Sequence, residues 1–192
     1  KGEYKNDVKS GVWEMFFRNG TVEQKGKFVK GKLSGKWVWY YQNGLIHREE
    51  NYRKGKEDGE FIEYDEEGNI LTKGYYINGL RDGEWFYQVG DHTEKGNYVD
   101  GEKDGEWIHY YDNEQVNFIG SFKNGKPIDT HIYYHINGIK KWTGSYNLGK
   151  KEGNWIRYNE TGEKLVTFKF RNDVLIKTDG KKIKPAFNEE IN

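Results

Sequence analysis

Hydrophobic residues in this chain come in short runs that are rich in aromatic and β-branched side chains, which favour strands. Residues 37–41 (Trp-Val-Trp-Tyr-Tyr) and 107–111 (Trp-Ile-His-Tyr-Tyr) are two such runs. Turn dipeptides follow them, among them Asn43-Gly44, and supply the positive φ angles of a hairpin turn. The pattern predicts two strands and two turns per segment, and therefore a series of β-hairpins.

The pattern returns about every 24 residues, with one interval of 22. The copies open at Gly11, Gly35, Gly59, Gly83, Gly105, Asp129 and Gly153. A fixed period of this length is typical of repeat proteins, in which neighbouring units stack to bury a shared face. We therefore expect an all-β fold, an elongated single-layer array of antiparallel β-hairpins over residues 1–176. A half repeat occupies residues 1–10, and about seven repeats start at residue 11.

Residues 177–192 leave the repeat, and we expect them to form a capping or partly disordered tail. The apolar residues Ile183, Ala186 and Phe187 are predicted to cover the last hairpin, because the outer edge of a terminal repeat is unpaired. At the other end, Gly2 and Tyr4 lie 24 residues before Gly26 and Phe28. The chain thus opens midway through a copy, which leaves open whether a signal peptide or further repeats precede it and whether the protein is cytoplasmic or exported.

Composition excludes several function classes. The 31 basic and 31 acidic residues balance, whereas nucleic-acid-binding proteins usually carry a net positive surface. The absence of cysteine excludes disulfides and thiolate metal sites. No apolar stretch approaches the ~20 residues of a membrane-spanning helix. We therefore expect no nucleic-acid partner, and membrane association is disfavoured.

Alternation along each first strand assigns its residues to two faces. The positions one and three after the Trp form a nearly uniform Ile/Tyr stripe, such as Ile132 and Tyr134, which we interpret as structural. The position two after the Trp shares the Trp face and varies between copies. Its occupants are Met15, Trp39, Glu63, Tyr87, His109, Tyr133 and Arg157. Stacking does not determine their identity, so a partner-specific surface is expected there.

The recurring order Gly-x-Trp-x-x-Tyr, Asn-Gly, Gly-x-Tyr, Gly-Lys and Asp-Gly resembles the MORN repeat, in the variant form of bacterial YwqK-type antitoxin-like proteins. The resemblance extends from residue 2 to about residue 176. It implies a MORN-like repeat solenoid sheet that binds other proteins, with lipid association in some members, and a toxin-neutralising or immunity role. The copies at 83–104 and 129–152 depart from the pattern: the first is two residues short, and the second has Asp129 and His131 for Gly and Trp.

Histidines and recurrent carboxylates are the residues that a metal or acid–base site would need. His131 and His135 would lie ~13 Å apart along a strand, too far to hold one metal. His109 and His131 fall on neighbouring hairpins and are expected as a partly exposed pair. The Asp of each Asp-Gly pair, such as Asp58, is interpreted as a turn residue. Every copy repeats it, whereas catalysis needs one differentiated constellation. We expect no enzymatic activity, no metal and no cofactor.

The most consistent interpretation is a non-catalytic scaffold with a protein partner, such as a toxin or effector. Aromatic residues exposed in a groove are favoured interface anchors. The candidate contact residues are Trp39, Tyr87, His109, His131, Tyr133, Trp142 and Arg157. Two alternatives remain open. A cell-wall or carbohydrate-binding module also fits, because choline- and glucan-binding repeats combine Gly, aromatic runs and Asn-Gly in short hairpins. The second alternative is association with a lipid surface, although the zero net charge disfavours it.

Overall fold

The computed structural model describes residues 1–182, and every regular element among them is a β-strand. The strands are β1 (Glu3–Lys5), β2 (Val8–Phe16), β3 (Val22–Val29), β4 (Lys32–Tyr40), β5 (Ile46–Arg53), β6 (Lys56–Tyr64), β7 (Ile70–Ile77), β8 (Leu80–Val89), β9 (His92–Val99), β10 (Glu102–Tyr111), β11 (Val116–Lys123), β12 (Lys126–Tyr134), β13 (Lys140–Asn147), β14 (Lys150–Tyr158), β15 (Lys164–Arg171), β16 (Val174–Thr178) and β17 (Lys181–Lys182). The expected all-β fold of antiparallel hairpins in an open sheet is confirmed.

Backbone contacts divide the described chain into two compact units, one of residues 1–104 and one that begins at residue 105. In the first unit, β1 to β9 pair in sequence order, each strand antiparallel to the next. In the second unit, β10 to β17 do the same. Each unit is therefore a series of hairpins in which neighbours in sequence are neighbours in the sheet.

The turns between strands have the positive φ angles that the sequence predicts. Gly44 closes the β4–β5 hairpin with φ of 88°. In the turn between β5 and β6, Lys54 and Gly55 have φ of 55° and 86°, and two successive positive values are the signature of a type I′ turn. This turn twists in the same sense as the strands that it joins, so the sheet continues through it without a break.

The Asp-Gly pairs do not form turns, and this interpretation was wrong. Asp58 and Gly59 lie inside β6, where the register with β5 shifts between the Glu50–Phe61 pair and the Tyr52–Glu57 pair. Gly59 has φ of 129°. A β-bulge can contain a residue with a positive φ when that residue is glycine. The Asp58 carboxylate accepts hydrogen bonds from the Arg53 guanidinium at 2.8 Å and from a backbone N–H. The pair therefore bends a strand at each repeat.

The tryptophan that opens most copies forms the core of each unit. In the first unit the Trp37 and Trp85 side chains are each 1% exposed. Each indole covers a glycine on the preceding strand, Gly26 or Gly74, where an added β-carbon would overlap the ring. Removing an aromatic surface of this size from water stabilises a fold by on the order of 4 kcal/mol, at roughly 25 cal/mol per Å². A Gly–Trp pair thus replaces the second layer that a sheet of this kind would otherwise need.

The Ile/Tyr stripe lies on the opposite face and is half-buried. In the first unit its residues alternate across the strands with charged ones, as in the register row that joins Val38, Glu49, Ile62 and Lys73. In the second unit the same row joins Ile132, Thr143 and Ile156. The stripe contributes lateral packing along each unit while staying in contact with solvent.

The last described strands enter the segment predicted as a tail. β16 extends from Val174 to Thr178, and β17 pairs with it through Lys177 and Lys182. The Asp179 carboxylate accepts a hydrogen bond from the Thr167 N–H at 2.9 Å, which fastens the turn to β15. The predicted capping residues Ile183, Ala186 and Phe187 lie outside the described residues.

Candidate binding surface on the tryptophan face

The tryptophan face is the side of each unit that carries the buried indoles, and hydrogen bonds hold those indoles in place. Trp37 Nε1 donates to the Lys27 carbonyl at 3.1 Å, and Trp85 Nε1 donates to the Tyr75 carbonyl at 3.2 Å. In both cases the acceptor lies ten residues before the indole, on the preceding strand. Because side chains alternate along a strand, the residue two positions after each indole lies on the same face, beside it.

In the first unit, those residues form one continuous register row across the sheet, which we call the first row. It consists of Met15, Gln24, Trp39, Arg48, Glu63, Thr72, Tyr87 and Glu94. Their side chains are half-buried, and the row mixes aromatic, basic, acidic and amide groups. The predicted residues Trp39 and Tyr87 both lie in it, four strands apart, or roughly 19 Å at the usual strand spacing.

Trp39 and Tyr87 have different neighbours within the first row. The Arg48 guanidinium lies over the Trp39 ring, 4.2 Å from the ring centroid. The Tyr87 hydroxyl donates to the Tyr98 hydroxyl at 3.3 Å, and burial raises the pKa of Tyr87. Each aromatic ring is therefore already oriented by a polar group, which lowers the entropic cost of using it in an interface.

In the second unit, the corresponding row consists of His109, Phe118, Tyr133, Trp142, Arg157 and Val166, and we call it the second row. Four of the predicted residues therefore belong to one row. Phe118 contacts both His109 and Tyr133, with ring centroids 4.7 and 4.9 Å apart. The Arg157 guanidinium lies 5.8 Å from the Trp142 ring, and burial raises the pKa of Tyr133.

His131 lies outside the row. It is 2% exposed, because it occupies the buried Trp position of its hairpin. Its Nε2 lies 3.0 Å from the Ser121 carbonyl, again ten residues earlier, so Nε2 carries the proton and donates as an indole would. Burial lowers the pKa of His131 below its ordinary value. The expectation of a partly exposed His109–His131 pair was wrong, since Phe118 contacts both rings and His131 is in the core.

His135 also has a structural role, on the edge of the second unit that holds the Asn-Gly turns. Its Nε2 lies 3.1 Å from the Tyr158 carbonyl. Tyr111 uses its hydroxyl in the same way toward Tyr134, at 2.8 Å, and Tyr41 in the first unit donates to Tyr64 at 2.7 Å. Each of these contacts joins one hairpin to the next, 23 residues later.

Sequence reasoning missed the residue four positions before the Trp, whose positive charge lies over the indole ring in several copies. The Lys9 ammonium lies 4.6 Å from the Trp13 ring, the Arg81 guanidinium 5.0 Å from Trp85, and in the second unit Lys151 lies 4.6 Å from Trp155. A cation over an aromatic face is an attractive contact. The signal was present in the repeat, because several copies place Lys or Arg at this position.

A second residue that sequence reasoning missed is Glu50, which takes the position of the glycine that faces the indole. It is buried, 6% exposed, and its partner in the next strand is Phe61 instead of Trp. The Tyr52 hydroxyl donates to Glu50 Oε2 at 2.8 Å, and Arg48 Nε lies 3.7 Å from the same oxygen. Burial raises the pKa of Glu50, while the Tyr52 hydrogen bond and the Arg48 charge act in the opposite direction.

At the turn end of β4 and β5, the first unit contains an open cleft of about 610 Å³. Trp39 of the first row reaches it from the tryptophan face. Its other main lining residues are Phe17, Glu23, Tyr41, His47 and Glu66. The Tyr41 and His47 rings lie 4.6 Å apart, and the Tyr41 hydroxyl is fixed by the Tyr64 carbonyl. The cleft therefore combines an aromatic lining with two carboxylates.

Four segments of the chain match the MORN repeat variant, residues 9–30, 33–54, 57–78 and 103–124. Each match begins in the first strand of a hairpin and ends at the turn after its second strand. The hairpins outside the matches pair in the same way but differ from the repeat at single positions. His131 replaces the buried Trp in one of them, and Phe168 replaces the usual glycine in β15.

A comparison with curated proteins finds no match to the chain. Within residues 1–182, no helix is long and apolar enough to cross a membrane. The chain is therefore a β-hairpin repeat protein with four matches to the MORN repeat variant, a type of repeat that generally serves as a binding scaffold.

Proposed function

We propose that this chain is a non-catalytic scaffold that binds a protein partner through the first and second rows of its tryptophan face. One observation carries the proposal. The indole and glycine positions beside the rows recur in most copies, whereas the row positions change in size, charge and polarity from copy to copy. Packing does not require this variation, so contact with a partner of specific shape and charge is its most direct explanation.

The second row contains the residue types that dominate protein interfaces. Aromatic side chains and arginine are enriched among residues whose truncation costs most of the binding energy. Tyr133, Trp142 and Arg157 lie side by side on three adjacent strands. Trp142 also stacks on Phe168, with centroids 6.0 Å apart and planes inclined by 22°, so its ring is held in one orientation. A preorganised aromatic group binds at lower entropic cost than a mobile one.

The resemblance to YwqK-type antitoxin-like proteins suggests the kind of partner. We propose a toxin or effector protein, which a scaffold of this kind would neutralise by covering it. The absence of catalysis is part of the same proposal: the Asp of the Asp-Gly pairs lies at a repeated strand bulge, as Asp58 does, and so has a structural explanation. His131 is left out of the proposed contact residues because its side chain is buried.

Affinity capture from native lysate with the full chain as bait, followed by mass spectrometry, tests the proposal. We expect a stoichiometric protein partner, and its retention should fall about tenfold or more for the double variant Trp142→Ala/Arg157→Ala. The matched control is Ile136→Ala/Lys169→Ala, which removes an exposed apolar side chain and an exposed cation outside the second row. Recovery of no stoichiometric protein would overturn the proposal. Retention on cell-wall polysaccharide instead would identify a carbohydrate-binding module, and retention on liposomes a lipid-binding one.

A further inference from the structure

The cleft at the turn end of β4 and β5 has a charge pattern that the repeat does not require. Two carboxylates line it, Glu23 and Glu66, and neither Lys nor Arg is among its lining residues. The lining is otherwise aromatic and polar, with Phe17, Trp39 and Tyr41 as its largest surfaces. The cleft thus combines aromatic and acidic groups, and Arg48, which lies over the Trp39 ring, is not among its lining residues.

Acidic residues are concentrated around Tyr41 at this cleft. Burial raises the pKa of Tyr41, and the charges of Glu66, Glu63, Asp65 and Glu67 raise it further. All of these acidic groups destabilise a phenolate at this point, which means that they would equally stabilise a positive charge placed there. Three of these acidic residues lie in the turn between β6 and β7. This turn therefore adds negative charge beside the aromatic lining.

Arg48, the cation beside Trp39, is already engaged by two other groups. Arg48 lies over Trp39 at 4.2 Å from the ring centroid and 3.7 Å from the buried carboxylate of Glu50. This contact also shows that the Trp39 ring accepts a guanidinium at van der Waals distance. Glu63, the register partner of Arg48, lies 3.6 Å from His47 Nε2 at the edge of the cleft. The acidic lining residues Glu23 and Glu66 therefore have no lysine or arginine beside them in the lining.

We propose that this cleft receives a lysine or arginine side chain of the protein partner. The inference rests on the proposed scaffold function and adds the chemistry of one contact. The Trp39 and Tyr41 rings would lie against the alkyl stem and the charged group, since a cation over an aromatic face is attractive, most of all where water is partly excluded. The Glu23 and Glu66 carboxylates would accept its charge-assisted hydrogen bonds. A glutamate or aspartate side chain is excluded by like-charge repulsion.

Peptide titration of the full ¹⁵N-labelled chain tests this assignment by NMR. The probes are acetyl-Gly-Ser-Gly-Arg-Gly-Ser-Gly-amide and its Lys, Glu and Ala counterparts. We expect saturable shifts of the Trp39 indole N–H signal with the Arg and Lys peptides only, weakened by added salt. In the variant Glu23→Gln/Glu66→Gln, the affinity for these peptides should fall about threefold to tenfold. The control Glu84→Gln removes an exposed carboxylate elsewhere in the first unit and should leave the affinity unchanged.

Three results would overturn the assignment: no saturable shift with the basic peptides, an equal response to the Glu peptide, or unchanged affinity in Glu23→Gln/Glu66→Gln. Folding of the variants is checked by the dispersion of their amide spectra, so a loss of binding is separable from a loss of structure. The same variant in the lysate capture separates the two proposals. If the partner is captured as well by Glu23→Gln/Glu66→Gln as by wild type, the cleft assignment fails and the scaffold function stands. If wild type captures none, the scaffold function fails.

Discussion

Glu50 lies directly opposite Phe61 in the register of β5 and β6, at a position where other hairpins combine a glycine with a tryptophan. The two departures occur together in one pair of strands. A glycine is required where an indole covers the backbone, and a smaller phenyl ring leaves space that the Glu50 side chain occupies. The hairpin therefore keeps a filled core with a different pair of residues, and it gains a buried carboxylate in the process.

The first prediction is that these two positions are energetically coupled. Phe61→Trp should lower the free energy of unfolding by about 1–3 kcal/mol, because the larger ring has no room beside Glu50. Glu50→Gly should also destabilise, because it leaves a void beside Phe61. The double variant Glu50→Gly/Phe61→Trp restores the common pair and should be more stable than the sum of the single changes indicates. Urea denaturation of the four proteins measures the coupling. Additive effects would mean that the two positions do not share one space.

The second prediction concerns the glycine beneath each indole. Gly74→Ala should destabilise the protein by about 2–4 kcal/mol, because the new β-carbon overlaps the Trp85 ring, which is buried and hydrogen-bonded and has no free space into which to move. Thermal denaturation followed by near-ultraviolet circular dichroism reports both stability and indole packing. The control is Lys73→Ala on the same strand, where the side chain is exposed. A similar loss in both variants would show that strand propensity, and not the indole contact, is responsible.

The third prediction is a pH dependence that originates at His131. Burial lowers the pKa of its imidazole in the folded state, so the folded protein binds the proton less well than the unfolded chain does. The stabilising contribution is therefore complete above the unfolded pKa of about 6.5 and is lost as the pH falls through the lower folded value. Relative to His131→Trp, wild type should lose stability between about pH 7 and pH 5. Equal pH profiles for both proteins would rule out this origin.

The fourth prediction identifies a strained turn. Leu148 has φ of 47° and is 75% exposed, in a turn where the equivalent residues are Lys54, Asn78 and Asn124. Asparagine adopts this conformation more readily than leucine. Leu148→Asn should raise the free energy of unfolding by about 0.5–1 kcal/mol. The control Leu165→Asn replaces another exposed leucine outside a positive-φ turn and should not stabilise. Stabilisation of both variants would point to lower surface hydrophobicity instead.

Much of the fold was predictable because the repeat makes each signal appear several times. The aromatic runs, the Asn-Gly turns and the 24-residue interval together specify antiparallel hairpins without reference to distant contacts. The identity of the tryptophan face was also predictable, since side chains alternate along a strand. Trp39, Tyr87, His109, Tyr133 and Arg157 were placed on that face by this rule, and their rows confirm the placement.

Other features depended on the register between strands. Asp58-Gly59 resembles a turn in the sequence, and only the pairing of β5 with β6 shows that it is a bulge. The repeat already aligns His131 with the Trp position, and only the structure shows that its side chain is buried and donates to the Ser121 carbonyl. Trp142 was predicted as an aromatic residue exposed in a groove, and only the strand register shows that Tyr133 and Arg157 are its neighbours.

By itself, the sequence determined which strands form and which face carries the tryptophans, because these depend on local periodicity and turn chemistry. The tertiary structure decided which side chains meet across strands. It buried Glu50 opposite Phe61, put His131 in the core, and gathered Trp39, Tyr41, Glu23 and Glu66 around one cleft. The physical reason is that lateral contacts in a sheet follow from register and bulges, and a shift of one residue exchanges the two faces of a strand.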